Sequence, residues 1–442
     1  MKDKIQQMFL MKRPASEIYD FIAKYLMKKY IFKTISGKKM NEIYVYIDGV
    51  FIEKGKDIIE KEAEDILEEA AKTYIITEIK NKIERLTKID RNKLGCRDKN
   101  LICLKNGVLD LKTKKLLEHS DKYMFMNKLL IEYIPEAYCK NVFTFLNDIL
   151  IPEDIECVQE WFGYQLYREY FIKKASIFRG VPDTGKTTFM NLLKNFVGSE
   201  NCSSISLQLL AQGKWQLVPL YNKNANICDD LSEKDITDSG TFKQVTGRSS
   251  IRAEAKFGDG FDFENYAKLS FSCNKVPAIK SDVDDQAYWN RWMIFDFDNI
   301  FDKDNKNTNV NIIHSLITNN EMSGLLNWAL EGLDRLLEKG YFSYRRDWEE
   351  NRRIMLGEAS SVAKFCIECL INENGYWTSN SDLFYNYEEF CKLNNISIIE
   401  TPRKFSLDIR NYCNYGKFNS NKNNIFGVRN VKIKSPLPIF GL

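Results

Sequence analysis

The sequence predicts an α/β protein, on three observations. A phosphate-loop string, Gly180-Val181-Pro182-Asp183-Thr184-Gly185-Lys186-Thr187, lies between a buried-type strand and an amphipathic helix. Strands and helices alternate from about residue 157 to about 301, the pattern of a mainly parallel sheet. Before that stretch, charged helices mix with short strands, and after it helices dominate.

Bulk properties narrow the classes. The 442 residues suffice for two to four domains. No run of about 18 apolar residues is present, which argues against a membrane span. The start, Met1-Lys-Asp-Lys-Ile-Gln-Gln, lacks the apolar centre of a secretion signal, so a soluble, cytoplasmic protein is expected. Eleven cysteines in so long a chain read as reduced thiols, and Cys366–Cys369 as helix packing, because a zinc site needs about four ligands. His119 and His314 read as structural or solvated. The net charge of +3 does not mark a nucleic-acid binder. The basic residues are concentrated at one end: from Thr401 onward Arg403, Lys404, Arg410, Lys417, Lys422, Arg429, Lys432 and Lys434 face one acid, Asp408. A solvated basic tail is the alternative.

In chain order, Tyr44 to Glu53 reads as a hairpin around Asp48-Gly49. Glu60 to Lys82 has helical spacing, and Asn106-Gly107 joins a second strand pair. A helix containing Trp161, Phe162 and Leu166 leads into the strand Ala175-Ser-Ile-Phe. The helix after the phosphate loop carries Phe189, Leu192, Leu193 and Phe196 on one face and stops at Gly198. Leu326, Leu330, Leu333 and Leu337 form the apolar stripe of a later helix. From about Ala359 the order reads helix, helix, helix, hairpin. The expected division is 1–155, a mixed α/β domain; 156–305, the phosphate-loop domain; 306–358, a helical linker; and 359–442, a terminal domain.

The chemistry centres on the loop. Backbone N–H groups of the loop Gly180 to Thr188, all but Pro182, would turn onto phosphate oxygens, with the following helix presenting its N-terminus. Lys186 reaches the β- and γ-phosphates, and Thr187 ligates Mg²⁺. Hydrolysis also needs carboxylates. Asp229 and Asp230 supply them at a strand end, Asp229 for the metal and Asp230 for the water, with exchanged roles or a mere acidic turn as alternatives. Asn274 ends another strand, where its amide can meet the γ-phosphate or the water. Arg291 opens a further strand and suits transition-state charge, often from a neighbouring subunit, unless it pairs with the Asp282–Asp285 cluster. Between these, Ile251 to Phe263 reads as a hairpin with Lys256 and Phe257 at its tip, a cation beside an aromatic that suits a single strand. A solvated hairpin is the alternative.

Together these residues resemble the superfamily 3 helicases, a branch of the AAA+ ATPases. Asn106-Gly-Val-Leu-Asp-Leu, Trp161-Phe-Gly-Tyr-Gln-Leu, Phe242-Lys-Gln-Val-Thr-Gly247, Leu325-Leu-Asn-Trp-Ala-Leu-Glu-Gly-Leu and Leu383-Phe-Tyr-Asn-Tyr are similar to the C-terminal half of poxvirus and phage/plasmid primase–helicases. The resemblance implies an AAA+ core and ATP with Mg²⁺. It makes Lys186 and Thr187 the Walker A pair, Asp229 and Asp230 the Walker B pair, Lys256 the pore lysine, Asn274 sensor 1 and Arg291 a finger acting across a subunit boundary. It further implies a homo-hexameric ring moving 3′ to 5′ on DNA. Such relatives carry a primase domain ahead of the helicase; the roughly 40 residues before the resemblance are too few for one, so a separate primase or polymerase is an expected partner. Asp296-Phe-Asp298 is read as surface structure rather than a primase metal site. A winged-helix-like terminal domain is expected to place Lys417, Lys422 and Arg429 near phosphates. An origin-binding initiator and a nucleotide-switched scaffold are the alternative functions.

Overall fold

The computed structural model describes residues 2–37, 40–231, 239–254, 260–276, 285–302, 311–398, 401–413 and 427–438. The first layer is a helical cover on a small sheet. Helices α1 (Lys2–Leu10) and α2 (Ala15–Lys29) precede strands β1 (Phe32–Ile35), β2 (Glu42–Ile47) and β3 (Val50–Ile52), followed by α3 (Gly55–Leu67), α4 (Thr73–Leu86) and β4 (Lys88–Ile89). The sheet order is β3-β2-β1-β4. Ile22 and Leu26 of α2, Ile59 and Ala63 of α3, and Ile79 and Ile83 of α4 bury against Ile43 and Val45. The hairpin at Asp48-Gly49 forms as read, with Asp48 at φ 48° and Gly49 at φ 91°. The helical stretch from Glu60 to Lys82 is not continuous. Glu68 takes φ 50°, a left-handed residue that ends α3 and turns the chain into α4.

Next come a small antiparallel sheet, β5 (Leu101–Leu104), β6 (Gly107–Asp110) and β7 (Leu116–Leu117), and two helices, α5 (Lys140–Ile149) and α6 (Pro152–Leu166). The central sheet alternates with helices: β8 (Ala175–Arg179), α7 (Lys186–Val197), β9 (Cys202–Ser203), α8 (Leu207–Leu210), β10 (Ala225–Cys228) and α9 (Gly240–Val245). A hairpin of β11 (Ser250–Glu254) and β12 (Gly260–Glu264) follows, then β13 (Lys268–Cys273), α10 (Gln286–Trp289) and β14 (Trp292–Asp296). The five central strands run in the order β14-β8-β13-β10-β9, every pairing parallel.

Alternating side chains divide between two cores, as the two-residue period of a strand requires. Phe178, Ile227, Met293 and Phe295 pack toward α5, α6 and α7. Ile177, Phe271 and Ile294 pack on the other face, with Leu207 and Phe242. Helices α11 (Ile312–Leu316) and α12 (Asn319–Lys339) return to the first face. The stripe of α12 is Leu326, Leu330 and Leu333 joined by Leu325, Ala329 and Leu336; Leu337 turns out to solvent, because residues 333 and 336 already complete the face. Close approach of α12 to α6 rests on glycine. A β-carbon at Gly332 would lie 2.5 Å from the Gln159 carbonyl oxygen, and one at Gly163 2.4 Å from that of Ala329.

The terminal unit departs from the expected order. After α13 (Trp348–Ala359) and α14 (Ser361–Cys369) comes a strand, β15 (Leu370–Ser379), then α15 (Asn380–Leu393), α16 (Pro402–Tyr412) and β16 (Gly427–Ile433). β16 pairs antiparallel with β15, far back in sequence; the other arm of the expected terminal hairpin lies outside the described residues. Phe365, Tyr387, Phe390 and Phe405 fill its core, with Cys366 and Cys369 buried beside them. No helix among the described residues is long and apolar enough to cross a membrane.

Two Gly→Ala substitutions in helices should have opposite signs. Gly332→Ala should destabilise by about 1–3 kcal/mol through overpacking. Gly357→Ala, whose nearest foreign atom is 3.8 Å away, should be neutral or stabilise by up to about 1 kcal/mol. Urea midpoints read both; equal effects would remove the close-approach argument.

Candidate nucleotide and nucleic-acid site

The phosphate loop leaves the C-terminal end of β8. Its first glycine is tight: the Gly180 N–H donates to the Cys273 carbonyl at 3.3 Å, and a β-carbon there would lie 2.3 Å from the Phe297 carbonyl oxygen. Asp183 at φ 65° and Gly185 at φ 85° turn the chain back before α7 begins at Lys186. Val181 and Pro182 are exposed on the loop, whereas Thr184 is buried and its hydroxyl donates to the Val181 carbonyl at 2.9 Å. Lys186 is buried, 8 % exposed, and its ammonium donates to the carbonyls of Gly180 and Val181, each at 2.6 Å, and to the Thr184 hydroxyl at 3.3 Å. Burial pushes its pKa down, while Cys273, Asp229, Asp183 and Asp230 act in the other direction. Thr187 and Thr188 open the first turn of α7, whose free N–H groups suit anions.

The acidic pair follows β10. The polar residue in that strand, Asn226, is fully buried and hydrogen-bonded through both its oxygen and its amide nitrogen. Its side-chain oxygen accepts from Ser203 at 2.9 Å and the Ile205 N–H at 2.8 Å, and its amide donates to the Ile205 carbonyl at 2.9 Å. It therefore fastens β10 to the chain after β9 rather than interrupting the strand. Asp229 and Asp230 are exposed beyond it, and Asp230 takes φ 62°. Ser272 on β13 organises both. Its hydroxyl donates to the Asp229 carboxylate and accepts the Asp230 N–H at 3.2 Å, and its carbonyl accepts the Leu231 N–H at 2.7 Å. Asn274 lies two residues on, just past β13.

Lys186, Thr187, Thr188, Asp229, Asp230, Ser272 and Asn274 all line one cleft of about 770 Å³, a size ordinary for a ligand site. Sequence reasoning missed Ser272, whose only signal is the Ser-x-Ser alternation of β13. It also missed Phe145, Asp148, Phe301 and Ile312, which wall the same cleft from distant segments.

Arg291 is elsewhere. Its carbonyl accepts the Ala175 N–H at 2.7 Å, at the N-terminal end of β8. The phosphate loop is at the C-terminal end, about 15 Å away along a five-residue strand. The Arg291 guanidinium donates to the Thr246 hydroxyl at 3.0 Å and to the Ala287 carbonyl. Burial pushes its pKa down and Asp285 acts upward. Asp285 itself pairs with Lys243 at 2.5 Å and caps α10; the rest of the Asp282–Asp285 cluster lies outside the described residues. So do Lys256, Phe257, Lys417 and Lys422. Arg429 is exposed on β16, opposite Trp377. Asp296 corrects the surface reading: it is largely buried between Arg179 and Arg346, which offset the cost of its burial and hold its carboxyl below the usual range.

The chain has similarities in two segments. Residues 12–151 match the family described as D5 N terminal like. Residues 178–291, from β8 through Arg291, match a family of unknown function (DUF5906). No curated protein sequence matches significantly. Among solved structures, the apo A form of the NrS-1 C-terminal region (305–718) is 12% identical, with a TM-score of 0.52 over 92% of this chain and 98% of that one. A second A-form apo structure and another apo structure of that region are each 13% identical, with the same coverage and TM-score. The likeness is one of fold.

The bond from Ser272 to Asp229 generates a test. If Asp229 holds Mg²⁺ for nucleotide hydrolysis, Ser272→Ala should leave nucleotide binding intact and lower Mg²⁺-dependent turnover by about 10–100-fold, as loss of a partner that orients a metal ligand does. Unchanged turnover in a folded variant would detach Ser272 from the chemistry.

Proposed function

We propose that the chain is an ATP-driven motor on DNA, a ring-forming helicase of the superfamily 3 type with an AAA+ core. Its setting would be replication of a virus, phage, plasmid or integrated element. The observation that carries this reading is one of topology. The strands bearing the phosphate loop, Asn274 and the acidic pair are consecutive neighbours, β8-β13-β10, so their ends meet in one cleft. The D5 N terminal like match and the fold shared with the NrS-1 region support the setting.

In this reading the N-terminus of α7 and Lys186 hold the phosphates. Lys186 exchanges loop carbonyls for phosphate oxygens, a like-for-like replacement of acceptors. Thr187 and Asp229 would hold Mg²⁺, which neutralises charge on the transferring phosphoryl group. Asp229 suits that task because Ser272 fixes its carboxylate. The Asp230 carboxylate has no hydrogen-bond partner among the described residues, which leaves it available to a water, and Asn274 orients the γ-phosphate. Arg291 is too far from its own cleft to assist there and so serves a neighbour's, which a closed ring provides for every subunit. Lys256 and Phe257 follow the strand in the pore. The terminal unit acts as a winged helix, with Arg403, Lys404 and Arg410 exposed along α16 and Arg429 on β16 near backbone phosphates.

Strand displacement on forked DNA with ATP is the direct test. The wild-type chain should unwind and Lys186→Ala should not; a wild-type chain without unwinding or DNA-stimulated hydrolysis would sink the motor reading. Subunit mixing tests the ring. Arg291→Ala and Lys186→Ala proteins, each inactive, should regain part of their ATPase when mixed, since the arginine contributes about 10³–10⁵ in rate at comparable sites. No recovery despite subunit exchange would place Arg291 in a structural role.

A further inference from the structure

The cleft continues past the phosphate loop. Beyond Gly185 it runs between α5 and the segments after β14, where Phe145, Phe301 and Ile312 form an apolar wall and Asp148 stands among them. Phe145 and Asp148 are three residues apart on α5 and so share a face. The wall begins at the loop itself: a β-carbon on Gly185 would lie 3.6 Å from the Phe301 ring and 3.7 Å from the Phe145 ring. Phe301 is fixed in place, its N–H donating to the Asp183 carbonyl at 2.9 Å. The backbone of Asp148 is fixed too, its carbonyl accepting from the Asn299 amide at 2.7 Å. Its carboxylate is exposed and has no partner among the described residues.

An ionised carboxylate can only accept hydrogen bonds. An apolar wall with one such acceptor fits a flat ring that is greasy on its faces and offers a donor at its edge. We propose that this end of the cleft holds the adenine base, packed against Phe145 and Phe301, with its exocyclic amino group donating to Asp148. The proposal rests on the nucleotide reading of the same cleft and adds a specificity residue to it. In this seating a purine with an oxygen at that position sets acceptor against acceptor, so the seating favours ATP; guanine reaches Asp148 only by turning its ring N–H and 2-amino edge toward it.

Equilibrium binding to the full chain with Mg²⁺ tests this, using ATP, GTP, purine riboside triphosphate (which lacks the amino group) and inorganic tripolyphosphate. The wild-type chain should bind ATP about ten-fold more tightly than purine riboside triphosphate, the usual worth of a charge-assisted hydrogen bond. Asp148→Ala should bring that ratio near one, and Asp148→Asn should lower the ATP-over-GTP ratio. Because Asp148 is exposed, both variants should keep the wild-type melting temperature. Phe301→Ala should weaken ATP and leave tripolyphosphate unchanged. If ATP and purine riboside triphosphate bind wild type alike, or the ratio survives Asp148→Ala, the base assignment falls while the nucleotide reading stands. If no triphosphate binds and Lys186→Ala changes nothing, the nucleotide reading itself falls.

Discussion

Strand Ala175–Arg179 has no solvent face, so it can exist only with a hydrogen-bonded neighbour on each edge and a packed layer on each side. That constraint organises the rest. β14 and β13 fill the edges, and α5, α6, α7 and α12 cover one face, while α8, α9, α10 and α13 cover the other. Because every pairing is parallel, all chain turns at the C-terminal ends share one rim. The phosphate loop, the acidic pair and Asn274 meet there without further device.

Polar side chains inside this sheet have specific tasks. A buried amide or hydroxyl is costly unless its bonds are made. Asn226 makes three, all to β9 and the residues after it. Ser270 accepts from the Trp161 indole at 3.0 Å and so ties the sheet to α6. Ser272 bonds forward into the site instead. Two serines two residues apart thus share a strand but differ in task, one structural and one directed at the acidic pair.

How legible each part was follows from the range of the interactions that fix it. The phosphate loop was plain in the sequence because its chemistry needs particular residues in one contiguous string. The alternating strands and helices of the central sheet were plain for the same reason, since each buried run is local. The left-handed residue that splits the helical stretch is Glu68, which carries no turn signal. β15 was passed over because Asn372-Glu-Asn-Gly is polar and the partner that makes it a strand, β16, begins about fifty residues later. Ser272 and Asp148 were missed for a related reason. Their meaning lies in what a neighbouring strand or a distant helix places beside them, and no spacing rule reaches that far.

The rim and the opposite end of the sheet are joined by one short element. β14 starts beside Arg291 and ends at Asp296; the chain then passes Phe297, whose carbonyl crowds Gly180, and Phe301, whose N–H holds the Asp183 carbonyl. The residue proposed to serve a neighbour's nucleotide is thus ten residues from Phe301 in the wall of its own. Asp296 anchors the middle of this route between Arg179 and Arg346, so the strand end cannot shift without disturbing the residue that leads into the phosphate loop. Coupling by such a path requires the loop to have two stable arrangements. One is the arrangement described above, with Lys186 bonded to the loop's own carbonyls. A phosphate that takes over that ammonium would release the carbonyls of Gly180 and Val181, and Gly180 is the residue that the Phe297 carbonyl crowds, on the route that starts beside Arg291.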